Sequence, residues 1–158
     1  MPSWTNWAGN QKSRPVIIEK PSTDAEVVSV IKRAVSNKQR VKVIGSGHSF
    51  TGISVPDEVM IDLTRMNRVV NVDHTGGVIT VQAGIVLSEL NAQLELHQLS
   101  MPNLGDVTYQ TLAGAVSTST HGTGLKRTGL AAQIRAFKLV AASGEVLACD
   151  PGQNAEIF

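Results

Sequence analysis

Apolar positions divide the chain into short strand-like runs separated by few helical ones. Residues 16–19 read as a short strand closed by Pro21. Thr23-Asp24-Ala25-Glu26 has the form of a capping box, in which a hydroxyl and a carboxylate satisfy the first free amides of a helix. Val27, Val30, Ile31, Ala34 and Val35 then recur at helical spacing, and Asn37 can end that helix. Residues 40–44 and 59–63 are two further strand-like runs. Strands flanking a helix favour a right-handed βαβ unit, so a small α/β layer is expected over roughly the first 70 residues.

The texture then changes. Residues 69–72 and 78–83 flank His74-Thr75-Gly76-Gly77, a hairpin pattern whose second strand stops at Gly84. Leu87, Leu90, Leu94 and His97 share one helical face. Residues 134–140 and 145–147 form a second hairpin pattern turning at Ser143-Gly144. Residues 101–124, between these elements, are rich in Gly, Ser and Thr. The expected class is therefore α+β with two lobes: a small βαβ lobe at about 1–74, and an antiparallel lobe with short helices at about 75–158. No low-complexity linker separates them, and a cleft at such a boundary is a common ligand site. Asn154-Ala155-Glu156-Ile157-Phe158 resembles the opening of a helix with no closing signal, as in a piece of a longer protein.

Composition narrows the function classes. Of 158 residues, 42% are apolar and 17% charged, which supports a packed core rather than disorder. Aromatics are only 4%, the net charge is +1, and the basic pairs Lys32-Arg33 and Lys126-Arg127 are isolated, so no nucleic-acid partner is expected. The single cysteine, Cys149, excludes an internal disulfide and is compatible with a cytoplasmic location. The start of the chain lacks a signal-peptide pattern, and no transmembrane segment is expected.

Two segments carry candidate chemistry. The first is Val43-Ile44-Gly45-Ser46-Gly47-His48-Ser49-Phe50. It is neither a Rossmann fingerprint, since Phe50 stands where a third glycine would, nor a Walker loop. It reads either as a tight turn or as a nest of backbone N–H groups for an anion, aided by the Ser46 and Ser49 hydroxyls. The second is Leu112-Ala113-Gly114-Ala115-Val116-Ser117-Thr118-Ser119-Thr120-His121-Gly122-Thr123-Gly124. It reads either as a close-packed helix start with a glycine turn or as a surface that lets a large flat ligand approach the backbone. Two phosphate-friendly segments, one per lobe, point to a long diphosphate cofactor between them. His48, His74, His97 and His121 have no zinc-type spacing and no cysteine or carboxylate cluster, so no metal site is expected. Asp106 serves either as a polar contact to a ligand or as a loop cap.

Pro21-Ser22-Thr23, the Val41-to-Phe50 run, Ile61-Asp62-Leu63, and Ala113-Gly114 through Thr120-His121-Gly122-Thr123-Gly124 occur in an order that resembles a known family. The chain is similar to the FAD-binding domain of the vanillyl-alcohol oxidase / para-cresol methylhydroxylase family, and within it to the aldonolactone and alditol oxidases. That resemblance implies FAD as cofactor, with its diphosphate wrapped by Val43, Ile44, Gly45, Ser46, Gly47, His48 and Ser49. It implies covalent attachment of the flavin through His48. It adds Asp106, Thr111, Gly114, Ala115, Val116 and Ser117 as further FAD-contacting positions. His121 stands near them, touching cofactor or only packing. Gly105 matches a position where a small residue leaves room for oxygen, which leans towards an oxidase. The implied function is oxidation of a sugar lactone or polyol with oxygen as acceptor. The alternatives are a sugar-lactone dehydrogenase with non-covalent FAD, or an inactive nucleotide-binding fragment. In the family a C-terminal domain contacts the substrate. None of that domain falls within these residues, so no catalytic residue is assigned here.

Overall fold

The computed structural model describes residues 2–55 and 57–158. A two-residue hairpin, β1 (Trp4–Thr5) with β2 (Lys12–Ser13), precedes the first lobe. β3 (Ile17–Glu19), α1 (Asp24–Ser36), β4 (Val41–Ile44) and β5 (Val59–Asp62) build that lobe. The Thr23 hydroxyl accepts from the Glu26 amide at 3.2 Å, as a helix N-cap should. The return arm of the box reaches one residue further back than the motif predicts. The Glu26 carboxylate accepts from the Ser22 amide (2.6 Å) and the Ser22 hydroxyl (3.0 Å). Those donors, the Ser22 amide first, hold Glu26 below the usual carboxylate range.

The three strands are parallel in the order β3-β5-β4. The strands joined by α1 are thus not neighbours, because β5 lies between them. All four residues of β5 are buried, and a strand apolar on both faces takes the centre of a parallel sheet. Val59 and Ile61 of β5 pack with Val30 and Ala34 of α1 in the first core.

The second lobe opens with the antiparallel hairpin β6 (Val69–Asp73) and β7 (Val78–Val81). α2 (Leu87–Leu96) follows, with His97 at its C-terminus. α3 (Leu112–Ser117) is short and is capped by Thr111. A second core joins Ile85, Leu87, Leu90, Leu94, Ala115 and Leu130. The last hairpin, β8 (Phe137–Val140) with β9 (Val146–Cys149), returns to α1, where Lys138 Nζ meets Asp24 Oδ2 at 3.1 Å. Residues 154–158 form a turn rather than a helix, with the Ile157 amide donating to the Asn154 carbonyl. Among the described residues no helix is long and apolar enough to cross a membrane.

Candidate functional site

A cleft of about 420 Å³ lies between the two cores. Its first wall is the loop leaving β4, residues 43–49, together with Ile53, Ser54 and Leu63. Its second wall is Gln110, Thr111, Ala113, Gly114, Ser117, Thr118 and Thr120. Lys42 Nζ donates to the Ile53 carbonyl at 2.8 Å and holds that turn at the rim.

The walls meet at Gly45 and Thr111. A methyl group at Gly45 would overlap Thr111 Oγ1, so only glycine allows this approach. Thr111 is 2% exposed and does three things from one position. It closes the cleft against Gly45, caps α3 by accepting from the Gly114 amide (3.4 Å), and bridges to Val86. The segment before it is tied to the second lobe by backbone bonds, Leu87 N–H to Gln110 (2.9 Å) and Leu112 N–H to Ile85 (2.8 Å).

The loop wall is different. Gly47 has φ +69°, a left-handed conformation that favours glycine. Among the described residues, none accepts a hydrogen bond from the backbone amides of residues 45–49. A run of free amides on a turn is an anion nest. No Asp, Glu, Lys or Arg is among the described residues lining the cleft, so a bound anion would be met by N–H dipoles and the hydroxyls of Ser46, Ser49, Ser54 and Ser117. These features fit FAD, a flat ring system on a diphosphate.

The remaining expected positions fall elsewhere. Ala115 is fully buried in the second core, and Val116 packs against that core, so both support the wall from behind. Asp106 is exposed in the loop before Thr111 and does not line the cleft. His121 is exposed, with Nδ1 3.0 Å from the Gly122 carbonyl. Gly105 is half-buried, and a Cβ there would sit 3.2 Å from the His121 carbonyl oxygen. Seven lining residues had no sequence signal of their own or went unassigned within a noted run: Ile53, Ser54, Leu63, Gln110, Ala113, Thr118 and Thr120. Gln110 Oε1 lies 3.5 Å from the Thr120 hydroxyl, a contact between residues ten apart that no local pattern announces.

An α+β domain with an amide-lined cleft between two lobes defines a nucleotide-cofactor-binding domain. The chain belongs to the FAD binding domain family, whose model matches residues 15–150. It is 44% identical over 153 residues to an L-gulono-1,4-lactone dehydrogenase of Mycobacterium tuberculosis, covering 97% of this chain and 36% of that one. It is 40% identical to the L-gulonolactone oxidase of Mus musculus, covering 97% of this chain and 35% of that one. Among solved structures, a chitooligosaccharide oxidase superposes with a TM-score of 0.84 at 21% identity, over 98% of this chain and 33% of that one, a likeness of fold. The chain spans about a third of the length of the curated relatives it matches.

Proposed function

We propose that this chain is the FAD-holding part of a cytoplasmic oxidoreductase of sugar lactones or polyols, with His48 as covalent anchor and oxygen as acceptor. The observation that carries the reading is the cleft between residues 43–49 and 110–120, with its unengaged amides and, among the described residues, no Asp, Glu, Lys or Arg. In it, Gly45, Ser46, Gly47 and Ser49 bind the diphosphate through N–H and hydroxyl donors. Thr111, Gly114 and Ser117 present small and polar surface to the rest of the cofactor. Ala115 and Val116 keep that surface in place, while Asp106 and His121 act from its margin. Gly105 leaves space for oxygen. When bound, FAD supplies two-electron redox chemistry, and the protein's task is to bind, orient and shield it. Groups that choose and activate the substrate lie in the remainder of the full-length protein.

A second reading, a dehydrogenase with another electron acceptor, is favoured by the 44% identity to a protein of that name. Oxygen uptake by the purified full-length holoprotein with L-gulonolactone separates the two. Stoichiometric uptake with peroxide release is expected. Turnover with a dye but not with oxygen would establish the dehydrogenase instead. Gly45→Val, which fills the cleft at its narrowest contact, should abolish flavin absorbance, and full FAD retention in that variant would overturn the site.

A further inference from the structure

The loop bearing His48 is not held by the first lobe alone. The N-terminal hairpin lies across it and hydrogen-bonds the carbonyls of residues 47, 49 and 50. Asn6 is 4% exposed, and its amide makes one bond to the loop and two within the arm. Its Nδ2 donates to the Ser49 carbonyl (3.0 Å) and to Asn10 Oδ1 (2.7 Å), and its Oδ1 accepts from the Gln11 amide (2.9 Å). The Trp7 amide donates to the Gly47 carbonyl at 2.9 Å. Asn10 Nδ2 and Gln11 Nε2 both donate to the Phe50 carbonyl, at 3.0 and 3.2 Å. The carbonyls of residues 47, 49 and 50 therefore all turn to the arm, which leaves the loop amides free for the other side.

The Trp7 side chain does something further. Its indole stacks on the His48 imidazole, with ring centroids 5.1 Å apart and planes at 23°. Phe50 meets the indole edge-on at 6.3 Å. Trp7 is 67% exposed, so burial alone gives it little reason to lie there. An imidazole is usually oriented by a hydrogen bond to one ring nitrogen. Among the described residues, neither ring nitrogen of His48 has such a partner. Offset stacking fixes the ring plane and leaves both ring nitrogens accessible in that plane. A histidine that forms a bond through one ring nitrogen needs that nitrogen free, and the stack leaves it so.

We propose that the Asn6–Trp7 arm is the positioning device for His48: Asn6 locks the loop backbone, and the Trp7 indole sets the imidazole plane for flavin attachment. This rests on the reading of His48 as the anchor. Attachment joins a His48 ring nitrogen to a flavin carbon. The N–H and C–H hydrogens leave as two protons and two electrons, which dioxygen takes up to become hydrogen peroxide. Trp7 contributes no atom, proton or electron to that balance and acts only by stacking on His48.

The test is the ratio of acid-stable to total FAD in the purified holoprotein. Trp7→Leu should keep total FAD and melting temperature near wild type while the acid-stable fraction falls at least fivefold. Trp7→Phe, which retains a flat face, should restore most of it. Asn6→Asp, which keeps the side chain's shape but loses its donors, should lower the fraction as well. Equal acid-stable fractions in wild type and Trp7→Leu would overturn the proposal. So would parallel loss of total FAD and fold in both Trp7 variants, since that is what a purely structural role predicts. Wild-type protein with no acid-stable flavin would instead overturn the anchor reading itself, and the positioning role with it.

Discussion

The two walls of the cleft face the same space but are held by different means. Residues 110–120 are fixed from within their own lobe: backbone bonds tie them to residues 83–88, and Ala115 is packed at zero exposure in the second core. Residues 45–50, beyond the end of β4, are fixed from outside, by carbonyl bonds to an N-terminal arm about 40 positions away and by one aromatic stack. Changes behind the first wall should therefore act on the whole fold. Changes behind the second should act on cofactor geometry while the fold survives.

The largest effect is expected at the core behind residues 110–120. Ile85→Ala empties a fully buried site whose carbonyl also anchors Leu112, and should cost about 2–5 kcal/mol by denaturant melts. Flavin should be lost together with the fold. Gly45→Ala comes next, at the point where the walls meet. The overlap with Thr111 Oγ1 should cost about 1–3 kcal/mol, with weaker FAD retention than the stability loss alone explains. If Gly45→Ala bound FAD like wild type, the walls would not be meeting as described.

Asp62 sharpens the contrast through pH. It ends β5, accepts from the Thr64 amide at 3.0 Å, and pairs with Lys20 at 2.8 Å. Burial acts to raise its pKa, but the Lys20 and Thr64 hydrogen bonds outweigh it, and the net direction is down. A carboxylate depressed in the folded state stabilises that state above the ordinary aspartate range, and the contribution is lost as pH falls through the lowered value. Acid titration of stability below about pH 4 should show this loss in wild type and a flatter curve in Asp62→Asn. At neutral pH that variant keeps an Oδ1 acceptor for the Thr64 amide and loses only the ion pair with the half-exposed Lys20, so it should be weaker by at most about 1 kcal/mol. The smallest effect belongs to Ser117→Ala. Ser117 lines the cleft, and its hydroxyl bonds to none of the described residues, so melting of the apoprotein should be unchanged while FAD dissociates a few-fold faster.

Much of this was legible in local pattern. The cap at Thr23, the α1 stripe and both hairpin turns follow from spacing that the folded chain keeps. The two loops of the cleft were legible as chemistry only as a pair, because each alone reads equally as a turn or a close-packed helix start. The insertion of β5 between β3 and β4 was not, since strand order depends on which apolar run is buried on both faces. Nor was the split of residues 112–118, where Ala113, Gly114, Ser117 and Thr118 line the cleft while Ala115 and Val116 enter the core. The N-terminal arm was the least visible. Trp4-Thr5-Asn6-Trp7 carries no motif, and its meaning comes from contacts that only the folded chain creates.

The central claim is that the loop wall carries the flavin through His48. Tryptic digestion of the acid-denatured holoprotein tests it most directly, because residues 43–65 form one peptide in which His48 is the sole histidine and no cysteine occurs. The account predicts flavin fluorescence and one added FAD mass on that peptide. Free FAD in the supernatant, or flavin on a peptide bearing His74, His97 or His121, would contradict it.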